Sequence, residues 1–153
     1  MRPVTDIYLT EDVIMITAGN IVNEAKDIFA VFKAFSDDGI ILDMISSAPR
    51  CSSEISVSFT ASGTDLEKIL LTAGRLKKSG DVSLEISSGN AKICLAGEGM
   101  QTSSGVMTRI LNRMLDEEIE IKLVSTSETE VSLLVSDSDA DNAVDVLARE
   151  FGI

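Results

Sequence analysis

The chain has 153 residues, 44% of them hydrophobic, and a formal net charge of −12. That is apolar material for one ordinary domain or two small ones and too much for a disordered chain. The acidic balance argues against nucleic acid and anionic membranes as partners, and the absence of histidine removes the commonest metal ligand and general base.

In chain order, Val4 to Leu9 reads as a short strand and Asp12 to Thr17 as a second, firmer one. Ala18-Gly19-Asn20 turns the chain. Asn23 is placed to cap a helix from Glu24 to Asp37, whose apolar positions Ile28, Val31, Phe32 and Phe35 share one face. Gly39 ends it. Ile40 to Ser47 is the next strand, residues 48–52 a turn, and Glu54 to Thr60 a strand with Ile55, Val57 and Phe59 on its buried side. Thr64 caps a second helix carrying Leu66, Ile69, Leu70, Ala73 and Leu76, and Ser79-Gly80 stops it. Val82, Leu84 and Ile86 alternate on a closing strand.

The second half repeats this plan. Lys92 to Ala96 is a strand, Ser104 to Glu117 a helix, Ile119 to Val124 and Val131 to Val135 two strands, and Asp139 to Glu150 the last helix. Ile40-Ile-Leu-Asp-Met-Ile-Ser-Ser47 parallels Ile119-Glu-Ile-Lys-Leu-Val-Ser-Thr126, and Glu54-Ile-Ser-Val-Ser-Phe59 parallels Glu130-Val-Ser-Leu-Leu-Val135. The expected fold is α+β: two ferredoxin-like βαββαβ units, each an antiparallel sheet with helices on one face.

Little in the chain reads as catalytic chemistry. Gly97-Glu-Gly-Met100, between strand and helix, could cradle a phosphate, but Glu98 opposes an anion and no lysine stands in the loop. A better functional reading is a small amino acid over the turn, its carboxylate on helix amides. The bland alternative is a tight glycine turn. The acidic clusters Asp37-Asp38, Asp116 to Glu118 and Asp137 to Asp141 fall at helix ends and read as solvated surface. Asp137-Ser-Asp-Ala-Asp141 lacks the glycine and the bidentate glutamate of an EF-hand loop. Without histidine or a Ser-x-x-Lys motif, no serine reads as a nucleophile. The simpler reading of Cys51 and Cys94 is two free thiols in a reducing cytosol, with a disulfide left open. No apolar run nears the ~20 residues of a membrane span, and the N-terminus has no apolar signal core, so a cytoplasmic location is expected. No cofactor and no metal are expected.

The stretch Gly97-Glu-Gly-Met100, Gly105-Val106 and Ser125-Thr-Ser-Glu128 resembles the second ACT unit of the aspartokinase regulatory region. The match is good from Cys94 to Ile153 and looser from Val4 to Leu71. In that family a Val-Thr-x-Ile segment precedes the first ACT unit and completes the sheet of the second, and Val4-Thr5-Asp6-Ile7 is similar to it. The resemblance therefore implies a first unit over 12–88, nested inside a second unit made of 1–11 and 89–153. It further implies a regulatory module without a kinase domain, non-catalytic, that binds a free amino acid, lysine or threonine, as an allosteric effector. The effector residues carried over are Asn20 and Asn23, nearest to the family's Asp-x-Pro-Gly turn, Asp43 and Met44 for its Asp-Met, and Ser47 for the glutamine that follows. Glu118 and Glu120 fall where threonine-responsive members carry asparagines, and a glutamate suits a cationic ligand. Expected partners are the amino acid, a second copy in a homodimer, and an enzyme of amino-acid biosynthesis as the regulated protein. The competing reading is a ligand-free assembly module that uses the edge of its sheet.

Overall fold

The computed structural model describes residues 2–22, 24–47, 55–80 and 82–153. These include β1 (Asp6–Ile21), α1 (Glu24–Asp37), β2 (Asp43–Ser47), β3 (Ile55–Ser62), α2 (Leu66–Ser79), β4 (Ser83–Ala96), α3 (Val106–Asp116), β5 (Leu123–Thr126), β6 (Glu130–Ser136) and α4 (Asp137–Phe151). The architecture is α+β, in two compact units. Unit 1 comprises Met1–Glu11 with Gly89–Ile153, and unit 2 comprises Asp12–Ser88. The expected hairpin loop at 48–52, with Cys51, and the cap residue Asn23 lie outside the described residues.

In unit 2 the strands run in the order β2-β3-β1-β4. β3 pairs antiparallel with β1 on one side and β2 on the other. One face of this sheet supplies Ile14, Ile16 and Ala18 from β1 and Val57, Phe59 and Ala61 from β3, all buried. Val31 and Phe35 of α1 and Ile69 and Ala73 of α2 close over them. In unit 1 the order is β1-β4-β6-β5. Ala91, Ile93 and Leu95 of β4 and Val131, Leu133 and Val135 of β6 meet Ile110 and Met114 of α3 and Ala143, Leu147 and Phe151 of α4. Each core is the ordinary result of a period-2 face meeting period-3.6 stripes.

Two expectations about the strands need correction. Val4–Leu9 and Asp12–Thr17 are one strand, β1, and Val82–Ile86 and Lys92–Ala96 are one strand, β4. The junctions carry no turn, only a single left-handed residue each, Asp12 at φ 54° and Gly89 at φ 73°. These kinks sit where the chain passes from one unit to the other.

The second correction concerns Ile40–Ser47 and Ile119–Val124, which do not start as strands. Ile40 N–H donates to the Phe35 carbonyl and Gly39 N–H to that of Ser36; Ile119 N–H donates to Met114 and Glu118 N–H to Leu115. Both are Schellman ends, in which the apolar residue after the left-handed position folds back on the helix. Ile40 and Ile119 are accordingly buried, and the strands begin only at Asp43 and Leu123.

The left-handed position is Gly39 in unit 2 (φ 73°) and Glu118 in unit 1 (φ 56°). Glycine adopts that conformation freely, whereas a Cβ costs roughly 1–2 kcal/mol there. Glu118→Gly should therefore stabilise the protein by about 1 kcal/mol after the entropy of the added glycine is subtracted. At this chain length that is a rise of about 2–4 °C in melting temperature, measurable by calorimetry. An unchanged or lower melting temperature would count against this account of Glu118.

Candidate functional site

The glycine motif that carries the family resemblance is filled by the chain itself. A Cβ at Gly97 would stand 2.2 Å from the Pro3 carbonyl oxygen, and one at Gly99 would stand 2.4 Å from that of Arg2. Residues 2–4 lie directly over the turn. They are held there by Thr5 N–H to the Ala96 carbonyl (2.8 Å), Arg2 Nη1 to the Gly152 carbonyl (2.7 Å) and the fully buried Val4. The amino acid expected over this turn has no room, and neither does a phosphate. Glu98 to Thr102 form a short 3-10 turn, and α3 starts at Val106 behind Gly105, which is left-handed at φ 82°, two residues later than the helix start expected at Ser104.

The remaining expected site residues are scattered. Asn20 is exposed near the end of β1, at φ 57°, a conformation asparagine tolerates. Ser47 pairs with Val57, and so does Ala18, which puts Ser47 two strands from β1 at the end where Asn20 lies. Asp43 pairs with Thr60, level with Met15. Five residues along and two strands across separate it from Asn20, roughly 19 Å. One free amino acid cannot touch both within this unit. Met44 is 3% exposed, with φ 47°, in a bulge where Met44 and Ile45 oppose Phe59 alone. Its side chain is buried and unavailable to a ligand. In unit 1, Glu118 and Glu120 are exposed on the segment after α3, and Glu118 serves the helix end.

A site that sequence reading missed opens at the Asn20 end of unit 2. A cavity of about 320 Å³ is lined by Asn20 near the end of β1 and Val22 just after it, by Lys26, Asp27, Ala30 and Val31 of α1, and by Leu76, Ser79, Gly80 and Val82 at the α2 to β4 connection. Its volume lies at the small end of the ~300–1,000 Å³ typical of small-molecule sites. Two helix ends border it. α1 starts there, with outward N–H groups and partial positive charge; α2 finishes there, with outward carbonyls and partial negative charge. Lys26 and Asp27 stand on the first turn of α1. The floor, Val31, Leu76 and Val82, is apolar. No residue in this list belongs to a recognisable motif, and only Asn20 was expected.

Two other depressions are lined largely by charged side chains. One of about 410 Å³ is bordered by Asp38, Lys68, Leu71 and Arg75, where Asp38 accepts from Arg75 and from the buried Thr72. The other, about 220 Å³ in unit 1, is bordered by Arg113, Glu117, Val146, Arg149 and Glu150. There Glu150 accepts from Arg109 Nε and Arg113 Nε, both at 2.7 Å. Among the described residues no cluster of three metal-ligating side chains occurs. No helix of the described residues is long and apolar enough to cross a membrane.

Residues 93–151 match the ACT domain family. Over 150 residues the chain is 32% identical to the aspartokinase of Geobacillus stearothermophilus, covering 98% of this chain and 36% of that protein. The fold of an aspartokinase in the crystal structure of its alpha and beta subunits matches with a TM-score of 0.89 at 25% identity, over 98% of this chain and 99% of that one. This is a tandem ACT region of the aspartokinase type. The ligand-free regulatory subunit of aspartate kinase from Thermus thermophilus has the same fold, with a TM-score of 0.89 at 21% identity over 97% of this chain and 99% of that one. The ACT pair spans about a third of the length of the curated aspartokinases it matches.

The Arg109–Glu150–Arg113 cluster gives unit 1 of the ACT pair an acid-sensitive contact. The hydrogen bonds from Arg109, then Arg113, hold the Glu150 carboxyl below its ordinary value, and the Glu150 carboxylate raises Arg113. A depressed carboxylate stabilises the fold at pH above its unfolded value, near ~4.3, and that stabilisation is lost as pH falls through the lower folded value. Below about pH 4 the wild-type melting temperature should therefore fall more steeply than that of Glu150→Gln. Parallel curves in an acid melting series would refute this.

Proposed function

We propose that the chain is an amino-acid sensor, non-catalytic by itself, whose effector site is the cavity of unit 2. The observation that carries this is the meeting of two opposite helix ends over one small cavity. A free amino acid is a zwitterion, and its carboxylate suits the start of α1 and Lys26 while its ammonium suits the end of α2 and Asp27. Lysine is the first ligand to test, because Asp27 and the α2 carbonyls favour a cation, and threonine is the second. The regulated protein is an enzyme of amino-acid biosynthesis, an aspartate kinase by the chain's similarity. The exposed edge strands β2 and β5 favour assembly as a homodimer, for which light scattering at micromolar concentration gives the mass.

The test is a thermal-shift screen of the twenty amino acids. A ligand at ~100 times its dissociation constant stabilises the folded state by about 2.7 kcal/mol, a melting shift of roughly 5–10 °C for this size. Asp27→Asn should shrink the shift, and Asp43→Asn, at the far end of the sheet, should leave it unchanged. If no amino acid moves the melting point at millimolar concentration, the sensor gives way to an assembly module. ATP- and aspartate-dependent release of ADP by the purified chain would overturn its non-catalytic role.

A further inference from the structure

The two units share one plan, and their differences at the cavity are informative. The matched Schellman ends set Gly39 against Glu118, and the buried pairs Val31 with Ile110 and Phe35 with Met114 keep that spacing. Ala30 of α1 therefore corresponds to Arg109 of α3. Ser62 pairs with Val13 as Ser136 pairs with Asn90, and the buried pairs Ile69 with Ala143 and Ala73 with Leu147 follow. Leu76 of α2 therefore corresponds to Glu150 of α4.

Both counterparts of the cavity lining carry long charged side chains in unit 1, and they bond to each other. Arg109 Nε donates to Glu150 Oε1 at 2.7 Å, and Nη2 donates to the Glu150 backbone carbonyl at 2.8 Å. The guanidinium lies 4.4 Å from the centroid of the Phe151 ring. Three kinds of group thus converge on one planar cation: a carboxylate, a carbonyl at a helix end and an aromatic face. In unit 2 a methyl group, Ala30, leaves the same position open.

We infer that Arg109 is a built-in occupant of unit 1, which closes that unit to free amino acids and leaves one effector site per chain. The count of one rests on the sensor function proposed above; the occupancy by Arg109 does not. Emptied of its arginine, the position in unit 1 is a guanidinium site.

The direct test is chemical rescue, read by melting temperature. Arg109→Ala should melt lower than wild type, and methylguanidinium should raise its melting point by a few degrees while leaving wild type unmoved and acting more strongly than methylammonium. An unchanged melting point in the variant, or equal effects of methylguanidinium on both proteins, overturns the inference. Should Arg109→Ala not fold, Arg109→Lys keeps the charge but cannot make both bonds, and the same comparison applies. The reciprocal variant, Ala30→Arg, should fill the cavity of unit 2 and weaken lysine binding at least tenfold in calorimetry; undiminished binding counts against the correspondence. Wild type should bind one lysine per chain, and two would overturn the closure of unit 1. A wild type that binds no amino acid sinks the sensor function, and the methylguanidinium comparison then still decides whether Arg109 occupies a site.

Discussion

Phe59→Ala is expected to be the most damaging single change, costing about 3–5 kcal/mol. Phe59 is fully buried at the centre of β3. Its ring meets Phe32 at 5.5 Å and Phe35 at 5.4 Å between centroids, both edge-on, so the aromatic pairing of β3 with α1 goes with it. The neighbours Ile16 and Ile69 are themselves fully buried, and a packed core relaxes only partly into a void. At this chain length the melting point should fall by roughly 8–15 °C. Because Phe59 lies opposite the bulge at Met44 and Ile45, the edge strand β2 should also lose protection in amide exchange. A loss under 1 kcal/mol, measured by urea denaturation, would mean that the cluster does not hold unit 2 together.

Gly97→Val should cost nearly as much, about 3 kcal/mol, through a different mechanism. The new Cβ would meet the Pro3 carbonyl at 2.2 Å and the Val4 Cα at 2.9 Å. Both are backbone atoms, so no rotamer change can make room, and residues 2–4 must lift away. Lifting them exposes Val4, a burial worth about 1.5–3 kcal/mol, and strains the hydrogen bond from Thr5 to Ala96, worth about 1 kcal/mol. The accompanying sign is protease sensitivity at residues 2–4, since the contacts of Arg2 with Gly152 and of Thr5 with Ala96 loosen as the segment lifts. A variant as stable as wild type, with residues 2–4 still protected, would show that the glycine is dispensable there.

The alternation of Ile55, Val57 and Phe59, the helical stripe of Val31 and Phe35, and the repetition of both in the second half were enough to read an α+β fold of two ferredoxin-like units. These are local periodicities, and burial on one face writes them directly into the chain. The motif Gly97-Glu-Gly-Met100 with Ser125 to Glu128 likewise marked the aspartokinase type of ACT pair. Its residues have structural duties: the glycines admit the backbone of residues 2–4, and Ser127 Oγ accepts from Thr129 and Glu130 N–H in the hairpin turn.

Tertiary structure alone decided the rest. That Arg2 and Pro3 cover the turn at Gly97 is a contact across more than ninety positions, invisible to any local pattern. The burial of Met44 and the distance of Asp43 from Asn20 follow from strand register, which depends on pairing partners rather than on neighbours in sequence. Glu118 was carried over as an effector contact because it falls where threonine-responsive members carry asparagine, and only the folded helix end shows that its backbone closes α3. The cavity of unit 2 left the faintest trace. It exists because Ala30 and Leu76 stand where unit 1 has Arg109 and Glu150, and a missing side chain becomes a space only when two helices and a strand close around it.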